Sequence, residues 1–478
     1  MGEKTVGYGY QINRLAKKGG AYLKENGLGA TIKHMADRNE KARIYSAYLK
    51  GRTLSEYELN LQRESNLDGP LFSVVVPLFN TDGDMLAALI KSWREQTYGR
   101  FELCFADASF MNDLQMVVDE AGEGDPRIKY SHLDMNYGIS GNTNEAIKMS
   151  TGDYIVFCDH DDIVAPDTLY NIAKRLLKRP EIEVFYTDQD KVDSVGKKFY
   201  EPFLKPSFDP YFICGTNYIC HLFVVKRSIL DQERPLHKEY DGSQDYDLTL
   251  RALEKAKMVC HIPSISYRWR ISGTSVADDG KQKMYAYEAG RKAIQAHYDR
   301  IGVKAEVSML EGTLGVYRTK YEIPADFEDK IIHVAVVGGF LDKIELEKAF
   351  ADEREYILFK ANYVKHNVKT LAELFGYVYA GGAAACGGVP DYPFTLPLTD
   401  MNKVDVSAFY LTVCANASMP VKGDYLLVKK AALSEETKQM LIDNASDDWH
   451  RALRDALKKA GKYTVYNPFA LGIEPVRM

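Results

Sequence analysis

The sequence predicts an α/β protein: helices first, then a mostly parallel, Rossmann-like sheet with helical crossovers, then a second, worn α/β domain of the same kind. Three observations predict this. From Phe72 onward short apolar runs alternate with helical stretches. The run Tyr154–Cys158 delivers three carboxylates, Asp159, Asp161 and Asp162, at its carboxyl end. The later half repeats that segment with the apolar positions kept and the acids lost.

Residues 1–70 read as helices, with Ile12, Leu15, Tyr22 and Leu23 at roughly helical spacing and breaks at Gly19-Gly20 and Gly27. Before residue 53, Lys4, Arg14, Lys17, Lys18, Lys24, Lys33, Arg38, Lys41, Arg43, Lys50 and Arg52 outnumber the acids Glu3, Glu25, Asp37 and Glu40. That excess suits either a solvated helical face or an anionic membrane surface. Asp68-Gly69-Pro70 then punctuates the chain. Strands are expected at Phe72–Pro77, Phe101–Ala106, Ile128–His132 and Tyr154–Cys158, with helices over 84–96, 112–121 and 141–149 between them. Right-handed crossovers join such strands into a parallel sheet. Further strands are expected at Val184–Thr187, Leu222–Lys226 and Met258–Ile262.

In the repeat, Asp153–Asp162 aligns without gaps on Glu355–Val364, so that Asp159, Asp161 and Asp162 become Ala361, Tyr363 and Val364. Leu222–Arg227 aligns on Tyr425–Lys430, and Asp245–Arg251 on Asp448–Arg454. The expected domains are therefore a helical region (1–70), a first α/β domain (71–310) and its worn copy (311–478).

Across 478 residues, 61 basic side chains face 67 acidic ones, a net charge of −6 that gives no reason to invoke nucleic acid. The seven cysteines are odd in number, sit mostly in apolar runs and lack zinc spacing, so they read as reduced core residues of a cytoplasmic protein. No stretch is apolar enough to span a bilayer, and no signal-peptide core is visible.

Four strand ends carry the candidate chemistry. The first, Pro77-Leu-Phe79-Asn80, is expected to expose backbone and an aromatic ring. At the second, Asp107 can accept from the imide N–H of uracil or thymine. Asn136–Asn144 then brings small and amide residues into a helix, suiting close approach to a nucleotide. In Asp159-His-Asp161-Asp162, two carboxylates one residue apart can hold a hard divalent cation, Mn²⁺ or Mg²⁺, as a nucleoside diphosphate requires. Asp-x-Asp alone is a weak signal, because aspartate also caps helices and starts turns. Beyond these, Gly242-Ser-Gln244-Asp245 opens a helix. Asp245 is either its N-cap or a general base that deprotonates an acceptor hydroxyl as it attacks a sugar carbon. A base opposite the leaving group inverts the attacked centre.

As an ordered set these residues resemble family-2 glycosyltransferases of the GT-A fold. The bacterial branch acting on cell-surface polysaccharides (O antigen, capsule, rhamnan) is the one most resembled. The resemblance runs over roughly 72–275 through Val75-Val-Pro77, Asp159–Asp162, Tyr186–Lys191, Phe203–Pro206, Asn217–His221, Gly242–Leu248 and His261–Arg270. It implies Pro77, Phe79, Asp107, Asn144, Asp159, Arg268 and Arg270 as donor-binding, Asp161 at the metal and Asp245 as catalytic base. Asp188, Asp190, Lys191, Trp269 and Gln244 are implied near the sugar or acceptor. Two departures are visible. Arg268 stands where relatives usually have histidine; it can pair with a diphosphate but cannot ligate a metal. Gln189 replaces an acid in Asp188–Lys191.

The reading is an inverting, metal-dependent transferase that moves a sugar from a UDP- or dTDP-sugar to a glycan or lipid-linked oligosaccharide acceptor. The N-terminal helices are expected to touch the membrane peripherally, and the worn domain to serve structure or self-association. A sugar nucleotidyltransferase would need a Gly-rich basic loop after the first strand, and Leu78–Asp84 supplies none. The remaining alternative is a non-catalytic glycan-binding or scaffold subunit.

Overall fold

The structure, a computed structural model, describes residues 36–471 except 38, 112, 232, 272–283, 365, 389–409, 412 and 444–447. The basic residues from Lys4 to Lys33, and with them most of the expected N-terminal helices, lie outside the described residues. Among those described, no helix is long and apolar enough to cross a membrane.

Two helices lead in. α1 covers 39–50 and α2 Glu56–Glu64. Ser55 and Glu58 close a capping box at the start of α2, each satisfying the other's backbone N–H. The α/β rhythm follows as expected: β1 (Phe72–Leu78), α3 (Gly83–Arg94), β2 (Phe101–Asp107), α4 (Leu114–Gly122), β3 (Ile128–His132), α5 (Gly138–Met149) and β4 (Tyr154–Phe157). Every residue of β1 and β2 is buried, because helices cover both faces of a parallel sheet.

After the acidic turn come β5 (Ile163–Val164), α6 (Thr168–Lys178), β6 (Val184–Asp193), β7 (Phe199–Phe203), β8 (Phe223–Lys226), α7 (Gln244–Lys255) and β9 (Val259–Ile271). β6 and β9 run well past their expected ends, because they pair in parallel along their length and each shelters the other's polar residues. The first sheet has the order β3-β2-β1-β4-β8-β6-β9-β5, with β7 added to β6.

α8 (Met284–Arg300) and the hairpin β10 (Ala305–Met309)–β11 (Tyr317–Tyr321) lead to the second sheet. The boundary expected at 310/311 falls inside this hairpin. Its Tyr321 packs edge-on against both Tyr298 and Tyr377, so the hairpin binds to either side. The second sheet is built from β12 (Ile331–Val337), β13 (Phe340–Leu341), α9 (Lys343–Ala351), β14 (Tyr356–Ala361), α10 (Val368–Tyr379), β15 (Ala385–Gly387), β16 (Tyr425–Lys429), α11 (Glu435–Asp443), α12 (Trp449–Lys459) and β17 (Thr464–Tyr466).

Its order, β13-β12-β14-β16-β15-β17, follows the centre of the first sheet strand for strand. β12 and β14 are parallel like β1 and β4; β16 is antiparallel to both neighbours like β8; β15 and β17 are parallel like β6 and β9. The register agrees too: Tyr154 faces Phe72 and Lys226, and Tyr356 faces Ile331 and Lys429. Even a turn is repeated, with Arg227 N donating to Asp153 O and Lys430 N to Glu355 O.

The seam between the sheets is closed by Asp209, which is almost wholly buried. Its Oδ1 accepts from Tyr211 N and Phe212 N, and its Oδ2 from Ala417 N (2.7 Å) and Ser418 Oγ (2.8 Å) on the other side.

Candidate active site

Asp245 is not the cap of its helix. Ser243 is the N-cap of α7, Gln244 opens the helix, and Asp245 follows in the first turn. Its Oδ2 instead accepts from Asn217 Nδ2 (2.8 Å) and from the Cys220 thiol (3.1 Å). Burial and the neighbouring Asp245 charge push the Cys220 thiol well up, so it remains an S–H donor.

The same segment reaches the acidic turn. His221 Nε2 lies 3.5 Å from Asp159 Oδ2, and its ring stacks on Tyr267 at 4.8 Å. Tyr267 Oη in turn accepts from Asp159 N (3.2 Å) and donates to Asp162. Asp162 is fully buried, with its second oxygen taken by Arg270 N (2.7 Å). It therefore shapes the turn from beneath and has no lone pair facing a ligand.

Asp161 is half-buried, and burial together with the Asp159 charge pushes its carboxyl up. Two carboxylates crowded without full compensation suit a divalent cation. Among the described residues no three metal-ligating side chains converge, so a cation there would depend on phosphate and water for its other ligands, as Mg²⁺ commonly does.

A narrow cleft of about 40 Å³ brings the two ends together. It is lined by Pro77, Asp159, Cys220, His221, Gln244 and Asp245, with Val75, Phe157, Phe223 and Leu248 among its apolar walls. The carboxyl end of β1 forms the outer rim, where Phe79 is exposed and packs edge-on against the more exposed Phe110 at 5.5 Å.

Other expected residues stand elsewhere. Asp107 is fully buried; its oxygens accept from Ser109 N (2.9 Å) and Tyr130 Oη (2.7 Å), so it props the loop after β2. Asn144 clamps Leu236 by donating to its carbonyl and accepting from its N–H, which uses both ends of the amide. Arg270 is buried and donates to Asp161 O and Ser194 O, bracing the acidic turn from behind. Arg268 pairs with Asp190 (3.1 Å) and lies over the Phe199 ring, facing α1. Each of these groups makes hydrogen bonds within the fold, while Arg270 Nη2 is buried without a partner among the described residues.

Of the sugar or acceptor candidates, only Gln244 lines the cleft. Asp188 accepts from Lys205 N (2.8 Å) and meets His261 Nε2 at 2.7 Å. Asp190 takes the hydroxyl of Tyr45 from α1. Lys191 pairs with Glu201 and sits 5.8 Å over the Trp269 ring. Sequence reasoning missed Asn217, Cys220 and Tyr267 as neighbours of the carboxylates. The first two lie in the Asn217–His221 stretch already singled out, so the signal was present but unassigned. Tyr45 lies outside any motif.

Residues 73–234 match the glycosyl transferase family 2 model. The chain carries a glycosyl transferase family 2 domain. Its first sheet is the mixed, mostly parallel arrangement of the GT-A, Rossmann-like type. The O-antigen biosynthesis protein RfbC of Myxococcus xanthus is 30% identical over 284 residues, 59% of this chain and 22% of that protein. The chain thus spans only about a fifth of RfbC's length. An Escherichia coli protein, UDP-Glc:alpha-D-GlcNAc-diphosphoundecaprenol beta-1,3-glucosyltransferase WfgD, is 27% identical over 45% of this chain and 82% of its own. Among solved structures, Staphylococcus aureus TarS 1–349 in complex with UDP-GlcNAc superposes at a TM-score of 0.39 with 21% identity, covering 48% of this chain and 66% of TarS 1–349.

Proposed function

We propose that this chain transfers a sugar from a UDP- or dTDP-sugar to a glycan acceptor in bacterial surface-polysaccharide synthesis, with inversion at the sugar carbon. The carrying observation is the cleft that joins Asp159 to Asp245, with Asp245 released from helix capping and oriented by Asn217 and Cys220. Both contacts fall on Oδ2, so Oδ1 is the atom that takes the acceptor's proton. Asp161, with Asp159, would hold Mn²⁺ or Mg²⁺. When bound, such a cation supplies positive charge at a departing diphosphate. Pro77 lines the donor side of the cleft, with Phe79 exposed just past the end of β1, and apolar walls around Asp245 limit competing water. The names of RfbC and WfgD support a polysaccharide role, and WfgD's supports a UDP-sugar and a lipid-linked acceptor.

The test is turnover of UDP- and dTDP-sugars with the product anomer read by NMR. Asp245→Asn should lower turnover by about 10²–10⁴-fold, the range of general-base catalysis. Asp161→Asn should abolish thermal stabilisation by UDP or dTDP with Mn²⁺, since a ligand of the folded state stabilises it by mass action. A retained anomer, or full activity of Asp245→Asn, would overturn the reading.

The second sheet favours a different role for its own half. Its strand order and register support descent from a GT-A-like unit, yet Ala361, Tyr363 and Val364 stand where the first domain has carboxylates. A structural or assembly role suits it, read by the sedimentation of full-length protein. Peripheral membrane contact through the basic N-terminal region belongs to the same proposal; equal flotation of full-length and truncated protein with liposomes would end it.

A further inference from the structure

Lys205 is a cation in an unexpected place. It is almost fully buried, and its ammonium has two carbonyl acceptors, Ile219 O at 2.9 Å and His221 O. Those two residues flank Cys220, whose thiol touches Asp245 Oδ2. A single ammonium therefore pins the backbone on both sides of the residue that contacts the proposed base. Lys205 is itself fixed from behind: its N–H donates to Asp188 Oδ1, which His261 Nε2 also meets at 2.7 Å.

The resemblance placed Asp188 near the sugar or acceptor. Here it stands one layer below the cleft, in the chain Asp188–Lys205–(Ile219, His221)–Cys220–Asp245. Burying an ammonium is costly, and burial pulls that of Lys205 down to about 7. A cheaper residue would do if filling space were the whole task. Buried polar groups with satisfied bonds fix one geometry among many, which is what a proton acceptor requires.

We infer that Lys205, backed by Asp188, is a positioning residue: it holds the 219–221 backbone so that Cys220 and Asn217 orient the Asp245 carboxylate. This rests on the reading of Asp245 as base, so the first readout avoids catalysis. The S–H stretch in the infrared reports thiol hydrogen bonding, and subtracting the Cys220→Ala spectrum isolates the Cys220 band in full-length protein. The same subtraction is made in a Lys205→Met background. The wild-type band should lie at low wavenumber, as for a thiol bonded to a carboxylate, and Lys205→Met should move it up toward the free-thiol position. An unmoved band would overturn the inference. Should Lys205→Met fail to fold, Lys205→Gln, whose uncharged carboxamide sits one bond closer to the backbone and falls short of the two carbonyls, is read instead with the same two outcomes.

Turnover then separates positioning from bulk structure. Lys205→Met should lower kcat at least tenfold, with Kd for UDP and Mn²⁺ changed less than threefold. In an Asn217→Ala/Cys220→Ala background the same substitution should add less than twofold, the non-additivity of groups acting through one another. Full additivity would overturn the inference. Wild-type turnover in Asp245→Asn would instead overturn the base assignment and leave the infrared result to stand or fall alone.

Discussion

Asp209→Asn is expected to loosen the seam between the two sheets. The wild-type carboxylate takes four donors: Tyr211 N and Phe212 N at one oxygen, Ala417 N and Ser418 Oγ at the other. Burial pushes its carboxyl up against the pull of those donors. An asparagine must turn its NH₂ toward one pair. Facing the backbone pair it would orphan two N–H groups, so the better choice faces Ala417 and Ser418. There the hydroxyl can rotate to accept, but Ala417 N–H cannot. One orphaned buried donor, plus two bonds that lose their charge assistance, amounts to about 3 kcal/mol. Asp209→Ala, which orphans all four, should cost more. Urea unfolding followed by circular dichroism measures both, together with limited proteolysis of the seam. Because two sheets are involved, the expected signature is an earlier, separate transition and not a parallel shift of one. Changes within about 0.5 kcal/mol for both variants, the scale of surface substitutions, would refute the reasoning.

Other outcomes follow from single contacts. Burial raises Asp190 to about 6, despite the charge of Arg268 and the Tyr45 hydroxyl. The folded protein therefore holds that proton more tightly than the unfolded chain. Stability from this group is full below about pH 4 and is lost as pH rises through 6, about 3 kcal/mol in all. The difference in urea midpoint between wild type and Asp190→Asn, followed from pH 4 to 8, should trace this curve; a flat difference would refute it. Gly423→Ala should destabilise the second sheet by about 1–3 kcal/mol, because the new Cβ would lie 2.1 Å from the Trp449 ring. Thermal melts measure that, and an unchanged midpoint would mean that the ring gives way freely. Tyr267→Phe removes the hydroxyl shared by Asp159 N and Asp162, so nucleotide stabilisation with Mn²⁺ should fall while the fold persists.

The parts of the fold visible in the sequence were those set by local periodicity. β1 to β4 and their crossover helices fall within a few residues of expectation, since apolar runs between turn residues leave few alternatives. The long extensions of β6 and β9 were not visible, because Asp188, Asp190, Lys191, Arg268 and Arg270 look like surface or site residues until each meets a partner across the pair. The same blindness governs the site. Asp159, Asp161 and Asp245 could be chosen because acids at strand ends and helix starts are chemically conspicuous. The contacts that Asn144, Arg268 and Arg270 make within the fold were not legible, because a polar side chain used as a strut reads the same in sequence as one that grips a ligand. Only three-dimensional pairing tells them apart, as with Asn144 and the backbone of Leu236.

The connection between β12 and β14 is far shorter than the one between β1 and β4. In the first domain residues 79–153 separate the equivalent strands and supply β2, β3 and the Phe79–Phe110 rim; in the second, residues 338–355 supply only β13 and α9. Aspartates at 361 and 363 would add charge beside a sheet edge that carries only β13 where the first sheet has β2 and β3. The two halves thus differ in architecture as well as in charge, so substitutions at 361 and 363 alone would not give the second sheet the surroundings of the first.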